Sequence, residues 1–147
     1  MLELINHLKR KPNQFFYLDT HAGAGLYDLS SEEAKKTKES EEGILRIANE
    51  QNAPGLILQY LKLIHDVNHS KNIISYPGSP ALVHQLLREN DRMVLCEWHS
   101  KDYQELRQLF YKDSSVAVHY QDGYLALKAF LPPKERRGLV LIDPPYE

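Results

Sequence analysis

The sequence is poor in cysteine, with Cys96 alone among 147 residues. That excludes an internal disulfide and any cysteine-built zinc cluster. A site made only of histidines and carboxylates stays open, but no HExxH-like spacing points to one. An excess of one charge is also lacking. Lysine plus arginine number 18 against 20 aspartate plus glutamate, a net charge of -2. That rules out a uniformly basic nucleic-acid binder, though not a local basic patch. No stretch approaches the roughly 20 apolar residues of a membrane helix. The N-terminus does not read as a secretory leader, because Glu3 interrupts the apolar start and Lys9, Arg10 and Lys11 follow it. There is no internal repeat and no low-complexity segment. What remains is an ordinary globular composition, 42% hydrophobic and 26% charged, at a length that suits one domain. Cys96 lies in the run Met93-Val94-Leu95-Cys96 and reads as a buried thiol. A reduced, cytoplasmic setting is the expectation.

Two hydrophobic periods alternate along the chain. Leu2, Ile5 and Leu8 mark a helix that closes near Lys11-Pro12. Phe15 to Asp19 reads as a buried strand, and Gly23 and Gly25 punctuate the turn after it. From Ser30 to about Ser40 the composition shifts to Glu, Lys, Ser and Thr, either a solvated helix or a loop. Ile44, Ile47 and Ala48 predict a short helix, and Pro54 starts another with Ile57, Leu61, Ile64 and Val67 on one face. Tyr76-Pro77-Gly78-Ser79-Pro80 reads as a turn into a helix reaching about Glu89, with Ser79 able to cap it. Three units follow: strand Met93 to Glu97 with helix Lys101 to Phe110, strand Val116 to Tyr120 with helix Gly123 to Leu131, and strand Leu139 to Asp143. Strands alternating with helices imply an α/β fold with a parallel, doubly wound sheet. Residues 30–75 read as a helical insertion after the first strand, between segments 1–29 and 76–147 of one partial domain.

In such a sheet, ligands bind beyond the carboxyl ends of the strands. The four ends carry Asp19-Thr20-His21-Ala22-Gly23-Ala24-Gly25, Glu97, Asp122-Gly123 and Asp143-Pro144-Pro145-Tyr146. Gly23 and Gly25 allow a backbone to approach a ligand, although a tight turn alone would explain them equally well. The full GxGxxG pattern fails at Asp28, which counts against a dinucleotide pyrophosphate. An adenosine without phosphates would not need that pattern. Glu97 can accept bonds from ribose hydroxyls, or it is a solvated strand end. Asp122 can bind an adenine amino group, cap the next helix, or do both. The fourth end is the most specific. Two prolines fix the backbone and remove two amide donors, so the loop offers the Asp143 carboxylate and the Pro144 carbonyl as acceptors. Tyr146 offers a flat face for a base. Two acceptors on an exocyclic amine favour a more pyramidal nitrogen with a freer lone pair, able to attack a sulfonium methyl in line.

The strings from Phe16 to Gly25, Tyr76 to Pro80 and Arg137 to Glu147 resemble the ribosomal RNA large-subunit methyltransferase J family, S-adenosylmethionine-dependent enzymes with a DPPY motif. The similarity runs from about Leu2 to Glu147. It implies a Rossmann-like class I methyltransferase sheet, here its first four strands, with a helical insertion after the first strand. It implies methylation of N6 of one adenine in 23S rRNA, position 2030 in the family's type activity, with naked or protein-poor RNA as substrate, no metal, no membrane, and a monomer at full length. Position by position it implies that His21, Gly23, Gly25, Ser79, Glu97, Asp122 and Gly123 contact S-adenosyl-L-methionine. Asp143, Pro144 and Tyr146 form the catalytic loop. Read without the resemblance, His21 is a turn histidine and Ser79 a helix cap. The family's pattern extends beyond both ends of this sequence, so 1–147 alone is expected to be aggregation-prone and inactive.

Two other functions fit parts of the pattern. An adenine-N6 DNA methyltransferase would use the same chemistry on a flipped base. A non-catalytic nucleic-acid-binding fragment would use Lys9-Arg10-Lys11, Lys35-Lys36-Lys38 and Lys134-Arg136-Arg137 on phosphates, although each cluster also reads as a solvated face. An NAD-linked oxidoreductase is disfavoured by the missing third glycine.

Overall fold

A computed structural model describes residues 1–31, 43–48, 52–70 and 72–145. Its elements in chain order are α1 (Leu2–Lys9), β1 (Phe16–Asp19), β2 (Leu26–Asp28), α2 (Ile44–Ile47), α3 (Gly55–Asn68), β3 (Ser75–Pro77), α4 (Ser79–His84), β4 (Arg92–Glu97), α5 (Ser100–Leu109), β5 (Val116–Tyr120), α6 (Gly123–Phe130) and β6 (Gly138–Leu141). The chain divides into two compact units, Met1–Gly25 with Gly78–Glu147, and Leu26–Pro77.

The first unit is built on a four-stranded sheet in the order β5-β4-β1-β6, all parallel. The run from Phe15 to Leu18 is apolar because β1 is central and covered on both faces, and all four residues of β1, Asp19 included, are buried. Side chains alternate across the sheet. Phe16, Leu18, Val94 and Cys96 meet Ala126, Leu127 and Phe130 of α6 on one face, together with Val140. Cys96 is the buried thiol that its context predicts, and burial pushes its pKa up to about 11. Tyr17 and Asp19 point to the opposite face, where the Tyr17 hydroxyl lies 3.9 Å from the Met1 sulfur at the start of α1. Because all four strands run the same way, Asp19, Glu97, Tyr120 and Leu141 finish along one edge of the sheet.

A buried carboxylate ties the opposite edge together. Asp91, whose side chain is 1% exposed, binds the Arg88 guanidinium at 2.8 Å. It also accepts the amides of Phe15 and Arg88, each at 2.9 Å. Arg88 in turn donates to the carbonyls of Lys11 and Asn13. Burial alone would raise the Asp91 pKa, but these donors outweigh it and hold the group below its ordinary value. A carboxylate with a depressed folded pKa contributes stability above the unfolded value and loses it as the pH falls. Asp91→Ala is expected to cost about 2–3 kcal/mol at neutral pH, because it strands a buried amide and a guanidinium. The difference from wild type should shrink below about pH 4. Denaturant unfolding at pH 7 and pH 3.5 checks both; a cost independent of pH would show that the charge is not what matters.

The same latch explains why α4 is shorter than its periodicity predicts. The helix ends at His84 and not near Glu89. Leu86 and Leu87 bond three residues back, and the Arg88 amide is taken by Asp91 and not by a helical carbonyl. Ser79 does not cap α4 either. Gly78 occupies the cap position without a side-chain bond, and the Ser79 hydroxyl goes elsewhere. β6 stops at Leu141, two residues short of Asp143. Arg137 of the basic loop spends its guanidinium on the carbonyls of Asn13 and Leu8. Glu135 in that loop forms a two-point ion pair with Arg92, at 2.8 and 3.1 Å.

The second unit holds α2, α3 and an antiparallel ladder of β2 with β3, Leu26 facing Pro77 and Asp28 facing Ser75. The sequence reading has only turns at both places. Asn68 organises this unit: its carbonyl oxygen accepts the amides of Ile74 and Ser75, and its amide nitrogen donates to Ile64 and Ser75. Leu61 and Ile64, predicted for the inner face of α3, are buried, with Leu63 beside them; Ile57 is exposed. The Glu-, Lys- and Ser-rich stretch lies almost wholly outside the described residues. Among the described residues no helix is long and apolar enough to cross a membrane.

Candidate functional site

The turn after β1 leaves the sheet with positive φ at Gly23 (63°) and Gly25 (79°), a backbone that L side chains rarely adopt. At Gly25 a Cβ would also sit 2.8 Å from the Leu106 side chain, so that glycine lets the turn pack on α5. Glu97 reaches back from the end of β4 and holds the turn. One of its oxygens accepts the Gly23 amide at 2.8 Å and the other the His99 amide at 2.7 Å. The carboxylate is half-buried, and each oxygen keeps a further lone pair. Asp122, past β5, uses one oxygen to accept the amides of Tyr124 and Leu125, at 2.7 and 3.1 Å. It is thus the N-cap of α6 that its position predicts. Gly123 next to it lies against the backbone of Thr20, where a Cβ would come within 2.1 Å of the carbonyl oxygen.

Thr20 joins β1 to β6. Its amide and its hydroxyl both donate to the Leu141 carbonyl, at 3.1 Å each. The hydroxyl oxygen also lies 2.8 Å from His21 Nδ1. The ring stands edge-on to Tyr124, with centroids 5.3 Å apart. Asp143, Pro144 and Pro145 follow β6 as exposed chain without regular secondary structure, and Tyr146 lies outside the described residues.

Sequence reasoning singles out neither Asp19 nor Tyr17, and both are central here. Asp19 is fully buried. One oxygen accepts the hydroxyls of Tyr17 (2.9 Å) and Ser79 (2.6 Å), and the other accepts the His21 amide (3.3 Å). Burial raises the Asp19 pKa against the pull of the Ser79 and Tyr17 hydroxyls and the His21 amide. Burial and the neighbouring Asp19 keep the Tyr17 phenol protonated far above its ordinary range. Trp98 is also missed. It is 65% exposed directly after Glu97 and stacks on Tyr120, with centroids 5.5 Å apart and planes 7° apart. A lone tryptophan beside a strand-end carboxylate was the available signal.

The strand order places Asp122, Glu97, the glycine turn with His21 and Ser79, and Asp143 in a row along one sheet edge. The model of a protein family described as "Ribosomal RNA large subunit methyltransferase D, RlmJ" matches residues 12–147. The chain belongs to this family. Its curated relatives include "Ribosomal RNA large subunit methyltransferase J" of Escherichia coli, 49% identical over 98% of this chain and 51% of that protein. The Haemophilus influenzae protein of the same name is 48% identical over 100% of this chain and 53% of that protein. The crystal structure of protein LPL1258 from Legionella pneumophila superposes with a TM-score of 0.90 at 40% identity, covering 99% of this chain and 53% of that one. The chain thus spans about half the length of each of these relatives. The fold is the partial Rossmann-like methyltransferase sheet that the sequence implies, and the family is the one its motifs resemble.

Proposed function

We propose that this chain supplies the donor pocket and catalytic loop of an S-adenosylmethionine-dependent enzyme that methylates N6 of one adenine in 23S rRNA, the position-2030 type of the family. The observation that carries the reading is the row of acceptors along the strand ends, ordered by β5-β4-β1-β6. Asp122 and Glu97 suit an adenine amino group and ribose hydroxyls. Among Asp19, His21, Ser79, Glu97, Asp122 and Asp143 there is no permanent cation, which disfavours a pyrophosphate and favours an adenosine with a cationic tail. Bound there, S-adenosylmethionine supplies an electrophilic methyl group. The chain's residues do the rest. Glu97 couples the ribose side to the Gly23 amide. Asp143 and the Pro144 carbonyl accept the two protons of the target amine and hold its lone pair in line. Tyr146 stacks on the base, which must be unpaired or extruded to be reached. Free rRNA, a monomeric enzyme and a cytoplasmic setting belong to the same proposal.

Mass spectrometry of 23S rRNA from a strain lacking the gene, with and without the complete gene restored, tests this directly. Restoration should return one N6-methyladenosine. An unmethylated product, or the mark appearing in DNA, would refute the reading. Glu97→Ala should weaken donor binding by about 1.5–3 kcal/mol through loss of charge-assisted bonds. Calorimetry showing unchanged affinity would remove Glu97 from the site.

A further inference from the structure

We propose that the edge of the sheet opposite the catalytic loop is a phosphate-binding surface for the RNA substrate, built from the turn after α1 and the loop before β6. The inference rests on the rRNA reading above. Register sets the edge. Phe16 of β1 pairs with Arg92 of β4 on one side and Gly138 of β6 on the other, so three strands begin side by side. The segments that lead into them, 9–13, 88–92 and 132–137, share that edge. They carry eight lysines and arginines against three carboxylates, in a chain whose net charge is -2. Two of the three carboxylates are spent, Asp91 on Arg88 and Glu135 on Arg92. Glu89 is the third. Six cations remain: Lys9, Arg10, Lys11, Lys134, Arg136 and Arg137. Among the described residues none of the six forms an ion pair with a carboxylate.

Neutral groups fix their places instead. Arg137 donates to the carbonyls of Leu8 and Asn13, and Arg88 to those of Lys11 and Asn13. Asn13 is held from both sides, so the turn with Lys9, Arg10 and Lys11 is pinned beside a loop 124 residues away in the chain. Carbonyls position a guanidinium without cancelling its charge, and Arg137 stays a net cation. Arg10, Lys11, Lys134 and Arg136 are exposed. Arg136 also adopts positive φ (53°), where glycine or asparagine would sit at less steric cost. A merely solvated face mixes its signs; this one is assembled with a single sign. The three segments hold no aromatic residue, so the surface suits phosphates and not stacked bases. β6 ties it to the chemistry. Arg137 precedes that strand and Asp143 lies two residues past its end. The six residues from one to the other span at most about 20 Å. An RNA strand with its target at Asp143 passes several phosphates within that reach, at about 3.4 Å of helix rise each.

The test uses the complete gene product and a transcript of 23S rRNA, with binding measured from about 50 to 200 mM salt. Lys11→Gln, Lys134→Gln and Arg136→Gln together should lower the slope of log affinity against log salt by about 2–3, and the affinity at about 0.1 M salt by about a hundredfold. The KM for rRNA should rise with it. The kcat at saturating RNA and the calorimetric affinity for S-adenosylmethionine should stay at wild type. Lys101→Gln, Arg107→Gln and Lys128→Gln together remove the same charge from exposed positions of α5 and α6, and should change the slope by less than about 1. An unchanged slope in the first triple variant would overturn the proposal. Equal losses in both triples would also overturn it, because only net charge would then matter. If Arg136→Gln unsettles its turn, Lys11→Gln with Lys134→Gln should still lower the slope by about 1.5. A first triple that loses binding to phosphatidylglycerol vesicles and not to rRNA would assign the surface to a membrane and sink the idea. Binding needs no methyl transfer. A wild type that binds rRNA through this edge yet methylates nothing would refute the proposed reaction and leave the surface standing.

Discussion

Asp143→Ala should reduce methyl transfer at least about a thousandfold while leaving the fold and donor affinity close to wild type. The size follows from what the carboxylate is asked to do. An aromatic amine is a poor nucleophile until its protons are held by fixed acceptors, and removing one preorganised electrostatic partner of a reacting group costs about two to three orders of magnitude. Asp143 supplies the only charge among the acceptors that the Asp143-Pro144-Pro145 loop presents, so its loss should fall at or beyond that range. The fold should be spared because Asp143 is exposed and follows the last residue of β6. Donor affinity should be spared because its partner is the target amine. Asp143→Asn keeps one acceptor and is expected to retain a trace of activity. Initial rates of labelled-methyl transfer to rRNA, alongside calorimetry with the donor, separate the two effects. Wild-type turnover by Asp143→Ala would place the chemistry elsewhere.

The parts of this fold that the sequence makes legible are those fixed locally. β1 is readable from Phe16 to Leu18 because a central parallel strand covered on both faces carries apolar side chains at consecutive positions, and β4 shows the same at Met93 to Cys96. The strand-end residues are readable as a group because parallel strands deliver their carboxyl ends to one edge. The ladder of β2 with β3 is not legible. It joins Leu26 to Pro77 across some fifty residues, through three-residue strands that look like turns. The end of α4 at His84 is hidden for a similar reason, since Asp91 captures the Arg88 amide from outside the helix. Ser79 shows the limit for the site. Its place before a helix predicts a cap, and only the tertiary approach of Asp19, sixty residues earlier in the chain, takes its hydroxyl away. Asp19 is invisible as an organiser for that reason. Asp122 is the opposite case: its cap bonds are local, and its position predicts them.

Gly123→Ala should be the most damaging conservative change in the site, destabilising the chain by about 2–3 kcal/mol, the ordinary range for overpacking. Position 123 opens α6, and replacing glycine by alanine in a helix otherwise gains up to about 1 kcal/mol. Here the sign is decided by space. A Cβ at 123 would lie 2.1 Å from the Thr20 carbonyl oxygen and 2.8 Å from the carbonyl carbon and Cβ of the same residue. Two of those atoms are backbone, so no rotamer relieves the contact. Either α6 moves off the sheet or Thr20 moves, and Thr20 is bonded to Leu141 and His21. Moving it would disturb the link between β1 and β6 and the contact with His21 together. Gly55→Ala is the matched control. It too begins a helix, α3, and its Cβ would meet nothing within 4 Å. That variant should be neutral or gain about 0.4–1 kcal/mol from the stiffer unfolded chain. Urea unfolding of both variants, with donor affinity measured on each, gives opposite signs if the close approach of α6 to β1 is as described. A Gly123→Ala protein as stable as Gly55→Ala would show that α6 does not rest on the Thr20 carbonyl, and the link from Asp122 through Thr20 to the edge of β6 would fall with it.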